Sequence, residues 1–237
     1  MPIRLHVDHP LREGAEFALP PGPARHAQVR RVQPGDALVL FDGRGGEWPA
    51  RVLAMGRTEV RVQVGAPRAV HRELPLAVTL ALGMPANDRM DDLIEKATEL
   101  GAARLQPLVC ERSVLRLAGE RAEKKRAHWQ AVAVAACEQC GRTRLPEVAP
   151  VRALADWLAA LPAPAADSQR LLLSLTDAQP WPAPAGPELT LLSGPEGGLA
   201  PAEEAAARAA GFVPVSLGPR VLRADTAPLA ALARLQP

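Results

Sequence analysis

"LLSGPEGGLAPAEEAAARAAG", residues Leu191 to Gly211, is the stretch whose reading decides the fold. Leu189 to Leu192 form a short apolar run of the kind that makes a strand buried on both faces. Gly194, Gly197 and Gly198 follow at once and let the backbone open or let a ligand approach it. Pro201 suits a first helical position and Gly211 the residue just past a helix end. The segment therefore reads as strand, open loop and helix, with the loop at the carboxyl end of the strand, where open α/β sheets bind ligands. The Gly-Lys-Ser/Thr ending of a phosphate loop and the spacing of a dinucleotide fingerprint are both missing. Glu196, Glu203 and Glu204 crowd the helix start, where they complement the helix dipole and repel a phosphate. A ligand of positive or mixed charge fits this loop; an ordinary tight turn fits it too.

The same texture extends through the second part of the chain. "LAVTLAL" (76–82), "LQPLVC", "RLLLSLTDA", the run before Gly194 and "FVPVSLG" read as buried strands. Helical patterns lie between them. "NDRMDDLIEKATELG" carries Asn87 or Asp88 as cap and Met90, Leu93, Ile94 and Ala97 on one face, and Gly101 ends it. "RAEKKRAHWQAVAVAACEQCG" is a longer helix with Trp129, Val132, Ala133, Ala136 and Cys140 on one side. A last helix begins near Thr226, capped by Asp225 or Thr226. Alternating strands and helices predict an α/β fold with a mostly parallel sheet. Loops then follow three strands: around Ser174 to Asp177, around Gly194, and at "SLGPRVLRADTA" with its exposed cations Arg220 and Arg223. Together they make a ligand pocket.

Residues 1–70 differ. "RLHV", "DALVLFD", "GEWPARVLAM" and "EVRVQV" are short, partly alternating strands punctuated by the turns "QPGD" and "DGRGGE", and "ARHAQVRRV" offers one or two helical turns. A small β-barrel-like domain, 1–72, precedes the α/β domain, 73–237. Residues 1–72 hold 11 of the 28 Lys and Arg but 7 of the 26 Asp and Glu. That imbalance suits contact with nucleic acid, or simply solvated arginines. Aromatic residues are 3% of the chain and tyrosine is absent, which argues against base stacking on a ring-bearing sheet. The longest apolar stretches are too short to cross a membrane, and "MPIRLHVDHP" has no signal-peptide character. Three cysteines argue against a disulfide framework and for the cytoplasm. "CEQC" (137–140) has metal-ligand spacing but sits in a helical pattern with one further thiol, Cys110, so buried thiols are the default reading and no metal is expected. Beyond Gly141, Arg142 and Arg144 either cap the helix carbonyls or meet an anion such as an RNA phosphate.

Taken together, "SGPEGGL", "SLGPRVLRADTA", "DDLIEKATELGA", "CERSV" and "EKKRAHWQAVAVAACEQCGRTRLPEV" closely resemble the RsmE-type methyltransferases of the SPOUT class. "VRRVQPGDALVLFDGRGGEW" looks like the small PUA-like β domain of that family. Members methylate N3 of a uridine in the decoding region of 16S rRNA with S-adenosylmethionine. The resemblance implies a carboxyl-terminal trefoil-knot domain, a homodimer, and 16S rRNA in the small ribosomal subunit as partner, with no membrane. At matching positions, cofactor contacts fall to Leu175 and Thr176 in the first loop, to Gly194, Glu196, Gly197 and Gly198 in the second, and to Leu217, Gly218, Val221, Leu222 and Arg223 in the third. Arg223 is the expected catalytic cation and Glu138 a candidate proton acceptor. Arg30, Arg31, Arg112, Arg142 and Arg144 are the expected RNA contacts. Two departures stand out: Ala224 and Asp225 replace the family's usual Thr and Glu, and Thr176 stands near a usual histidine. The rivals are a ribose 2′-O-methyltransferase of the same fold and a non-catalytic RNA-binding assembly factor.

Overall fold

The computed structural model describes residues 2–86 and 89–236. The chain divides into two units, Met1–Glu73 with Val134–Leu145, and Leu74–Ala133 with Pro146–Pro237. The first unit is thus discontinuous in sequence.

In the first unit, β1 (Ile3–His6), β2 (Glu16–Ala18), β3 (Ala37–Phe41), β4 (Trp48–Met55) and β5 (Val60–Val64) form a sheet in the order β1-β3-β4-β5-β2. β1 pairs with β3 in parallel and the other pairs are antiparallel. Helix α1 (Pro21–Val29) starts with proline at its head, where no N–H is needed. Alternation places Val60, Val62 and Val64 inside while Arg61 and Gln63 face solvent. Leu5, Leu38, Leu40, Val52 and the α1 residues Ala24 and Ala27 complete this core.

In the second unit, β6 (Ala77–Gly83), β7 (Arg104–Val109), β8 (Glu147–Val148), β9 (Arg152–Ala153), β10 (Ser168–Leu173), β11 (Gln179–Pro180), β12 (Glu188–Ser193) and β13 (Val213–Ser216) make one sheet. The order is β11-β13-β10-β12-β6-β7-β8, with β9 also on β7, and every pairing is parallel. Helices α2 (Arg89–Glu99), α3 (Gly119–Cys140), α4 (Leu154–Ala159) and α5 (Pro201–Ala209) lie between strands, and α6 (Thr226–Ala233) follows the last strand. Both faces of the sheet are covered, so neighbouring residues of one strand enter different cores. Leu191 packs with Met90, Ile94, Trp129 and Leu232 from α2, α3 and α6, whereas Leu192 packs with Trp157, Leu158 and Ala207 from α4 and α5. That explains why "LTLL" is apolar without alternation. The Trp129 indole donates to Asp91 at 3.0 Å, tying α3 to α2. Asn87 and Asp88, the expected caps of α2, lie outside the described residues.

Helix α3 ends in the first unit, and its end explains the discontinuity. Gly141 adopts φ 91°, the left-handed turn that closes a helix. Its carbonyl accepts from Arg4 at 3.1 Å and Arg72 at 2.8 Å. Both cations also hold Glu47, which is nearly buried. Burial pushes the Glu47 carboxyl up, but the two guanidiniums outweigh it and hold it below the ordinary carboxylate value. Cys137 is buried here, which pushes its thiol up to about 12; Cys110, buried in the second unit, is pushed equally far. Neither carries thiolate at neutral pH. No helix among the described residues is long and apolar enough to cross a membrane.

Candidate active site

β13, β10 and β12 are adjacent, so the three loops leaving their carboxyl ends emerge side by side. They enclose a cavity of about 610 Å³, within the range of small-molecule sites. Leu175 and Thr176 line it from the first loop, Gly194 to Leu199 from the second, and Leu217, Gly218 and Arg220 to Ala224 from the third. Every residue expected to contact a cofactor therefore lines this one cavity.

Each loop is braced by hydrogen bonds. In the first, the Thr176 N–H donates to Ser174 Oγ at 3.0 Å, and that hydroxyl donates to Glu204 of α5 at 3.2 Å. Arg208, one turn further along α5, donates to the Thr176 carbonyl at 2.9 Å. In the second, Arg112 donates to the Gly197 carbonyl at 3.0 Å, and Glu203 accepts from the Ala200 and Glu111 N–H groups at 2.9 and 2.8 Å. The third loop is held by the turn in which Gly218 N–H donates to Ser216 Oγ, and by the Arg223 carbonyl accepting from Thr226 and Ala227.

The glycines serve different needs. A Cβ on Gly194 would lie 2.9 Å from Leu199 N, and one on Gly197 would lie 3.0 Å from Arg112 Cβ. Gly198 has open space around it but φ +68°. So two positions need room and the third needs a left-handed backbone. Gly83 at the end of β6 is a further close approach: a Cβ there would stand 2.5 Å from Pro195 Cδ.

The wall mixes charge. Arg89, Arg220 and Arg223 face Glu196 and Glu204. Arg89 pairs with Glu196, whereas Arg220 and Arg223 are exposed with no side-chain ion pair among the described residues. Arg223 does not neutralise Asp225, whose partner is Arg89 at 4.0 Å. Leu175 and Val221 are 67% and 77% exposed, unusual for apolar side chains and suited to a flat apolar ligand group. Carboxylates for a cationic group, apolar surface and a glycine cradle fit a sulfonium cofactor bearing an adenine ring.

Other expected residues are placed differently. Glu138 is not among the cavity-lining residues; its carboxylate accepts from the His6 N–H at 2.9 Å and faces His26 at 3.1 Å. Arg142 is corrected outright. It is 4% exposed, and its guanidinium grips Glu73 at 2.7 and 2.9 Å, so it offers nothing to a phosphate. Arg112 is spent on the glycine loop. Arg30, Arg31 and Arg144 are exposed. Sequence reasoning missed the roles of Arg89, Glu204 and Arg208. The spacing of Glu204 and Arg208, four apart on α5, was the available signal.

An all-parallel sheet with three converging loops, in a chain that also holds a small β unit, is the architecture of an RNA methyltransferase. The family described as RNA methyltransferase domain matches residues 72–236, and the RNA methyltransferase PUA domain matches residues 24–65. The ribosomal RNA small subunit methyltransferase E of Bacillus subtilis is 32% identical over 233 residues, 95% of this chain and 91% of that protein. Its Synechocystis counterpart is 36% identical over 214 residues, 88% and 68% of the two chains. The crystal structure of the Neisseria gonorrhoeae enzyme of that name, bound to S-adenosyl methionine, matches with TM-score 0.92 and 36% identity over 100% of this chain and 97% of the other. The chain belongs to the ribosomal RNA small subunit methyltransferase E family.

Proposed function

We propose that this chain methylates N3 of a uridine in the decoding region of 16S rRNA, within the small ribosomal subunit, using S-adenosylmethionine and acting as a cytoplasmic homodimer. The carrying observation is the convergence of the three loops on one cavity. It is supported by a relative solved with S-adenosyl methionine at 36% identity. The return of β12 to the slot between β6 and β10, and of β13 to that between β10 and β11, supports a trefoil knot.

Gly194, Glu196, Gly197 and Gly198 would hold the cofactor by backbone and charge, with Leu175, Thr176, Leu217, Gly218, Val221 and Leu222 around it. When bound, the cofactor supplies an electrophilic methyl group on a sulfonium. The chain's own task is alignment, which can provide most of the acceleration in a direct displacement. As the N3 proton leaves, negative charge grows on the uracil, and the free guanidinium of Arg223 stabilises it. Both oxygens of Glu138 are engaged, so the proton is assigned to solvent rather than to that residue. N3 must first be exposed by opening its base pair. Arg30, Arg31 and Arg144 grip the RNA backbone from the basic first unit.

Nucleoside analysis of 16S rRNA from 30S subunits treated with chain and cofactor tests this. 3-Methyluridine is expected. A 2′-O-methylated nucleoside would establish the ribose-modifying rival, and cofactor binding without any product would establish the assembly factor.

A further inference from the structure

We infer that Arg89 is a positioning residue that latches the second and third loops together, and so sets how tightly the cavity holds its cofactor; the affinity claim rests on the cofactor reading above. Arg89 opens α2 and lines the cavity. Its Nη1 lies 3.8 Å from Glu196 Oε1 on the glycine loop and 4.0 Å from Asp225 Oδ2 beyond Arg223. One guanidinium thus bridges a carboxylate of the second loop and one at the end of the third. Glu196 is itself fixed, because it accepts the Ala86 N–H at 3.0 Å. The third loop has less to hold it. Among the described residues its hydrogen bonds are local: Gly218 with Ser216, the Arg223 carbonyl with Thr226 and Ala227, and Thr226 with Asp225.

Charge and length both matter here. Without Arg89, Glu196 and Asp225 would be two carboxylates across the same gap with no cation between them, which favours opening. The side chains of Arg89, Glu196 and Asp225 are 43%, 32% and 31% exposed, so the latch is screened and reversible, not a rigid strut. Asp225 sits at the limit of ion-pair distance, and one more methylene would carry the carboxylate nearer to Arg89.

Hydrogen exchange on the cofactor-free full chain and calorimetry with S-adenosylmethionine test the latch together. In Arg89→Gln, amides of residues 217–225 should exchange faster, and cofactor Kd should rise about three- to tenfold, the worth of one or two exposed ion pairs. Arg89→Lys should restore part of both, and Asp225→Glu should slow exchange and lower Kd about twofold. At saturating cofactor, KM for 30S subunits should move less than Kd does. Unchanged exchange in Arg89→Gln would overturn the latch. A raised KM for 30S subunits with unaltered Kd would also overturn it, making Arg89 an RNA contact. Failure of the wild-type chain to bind cofactor would overturn the reading of the previous subsection and the affinity claim with it, while exchange would still decide whether Arg89 joins the loops.

Discussion

Arg223 and Gly197 line one cavity and would serve the proposed activity in different ways. Arg223 is exposed, and its guanidinium makes no ion pair among the described residues, so little of its conformational freedom is spent on the fold. Arg223→Ala should leave stability nearly unchanged, yet slow single-turnover methylation of 30S subunits by about 10²–10³, as loss of an oxyanion donor does. Arg223→Lys should recover only part, since an ammonium lacks the planar fork. A rate within about threefold of wild type, far below the cost of losing such a donor, would transfer the role to Arg220 or a backbone amide. Gly197 acts through space. Its hypothetical Cβ meets Arg112 Cβ at 3.0 Å, and Arg112 is the residue that braces the loop. Gly197→Val should keep the circular dichroism of the wild type while weakening cofactor binding by about tenfold or more, the effect of roughly 1–3 kcal/mol of overpacking. Unaltered affinity in the folded variant would remove this loop from the site.

At the scale of elements, two helices are pinned by what meets their ends or flanks. Helix α5 braces the first loop: Glu204 and Arg208 hold Ser174 and Thr176, so that loop keeps its shape. Helix α3 is closed by Arg4 and Arg72, which are themselves shared with Glu47. Because the Glu47 carboxyl is held below its ordinary value near 4.5, its contribution to stability is fully present above that value and is lost as pH falls through the lower folded value. Glu47→Gln should therefore lower Tm clearly at pH 7, where removing one partner of a nearly buried pair costs about 3–5 kcal/mol. The gap should close progressively below about pH 4.5. A gap that stays constant down to about pH 3, well below that ordinary value, would dissociate Glu47 from the acid sensitivity.

At the scale of the whole molecule, the first unit's discontinuity changes how its role is tested. Cutting the chain at residue 72 would strip Arg4, Glu47 and Arg72 from 134–145, which belong to that unit. A truncated chain would then confound RNA binding with damage to α3. Charge removal avoids this. The Arg30→Ala, Arg31→Ala double variant, both exposed, should bind 16S rRNA more weakly and reduce the salt dependence of log K by about 1.4–1.8, two phosphate contacts' worth. An unchanged slope would take these two arginines off the RNA.

Sequence alone determined the elements that local pattern controls. The 3.6-residue period of Met90, Leu93, Ile94 and Ala97 marked α2, all four now buried, and the apolar run before Gly194 marked β12. It also determined the three loops, because glycine and proline punctuate them within a few residues of each strand. The two-residue strands β8, β9 and β11 and the short helix α4 carried too few residues for a period to register. Only the tertiary structure decided which charges remain available. Arg142 and Arg223 are indistinguishable as letters beside a turn. Glu73 takes the first out of solvent, and no carboxylate among the described residues pairs with the second, because partners distant in sequence are brought up by folding rather than by spacing. The same holds for Glu138, expected near the chemistry but committed to His6 and His26, and for Arg89, which faces Glu196 and Asp225 across more than a hundred residues of chain.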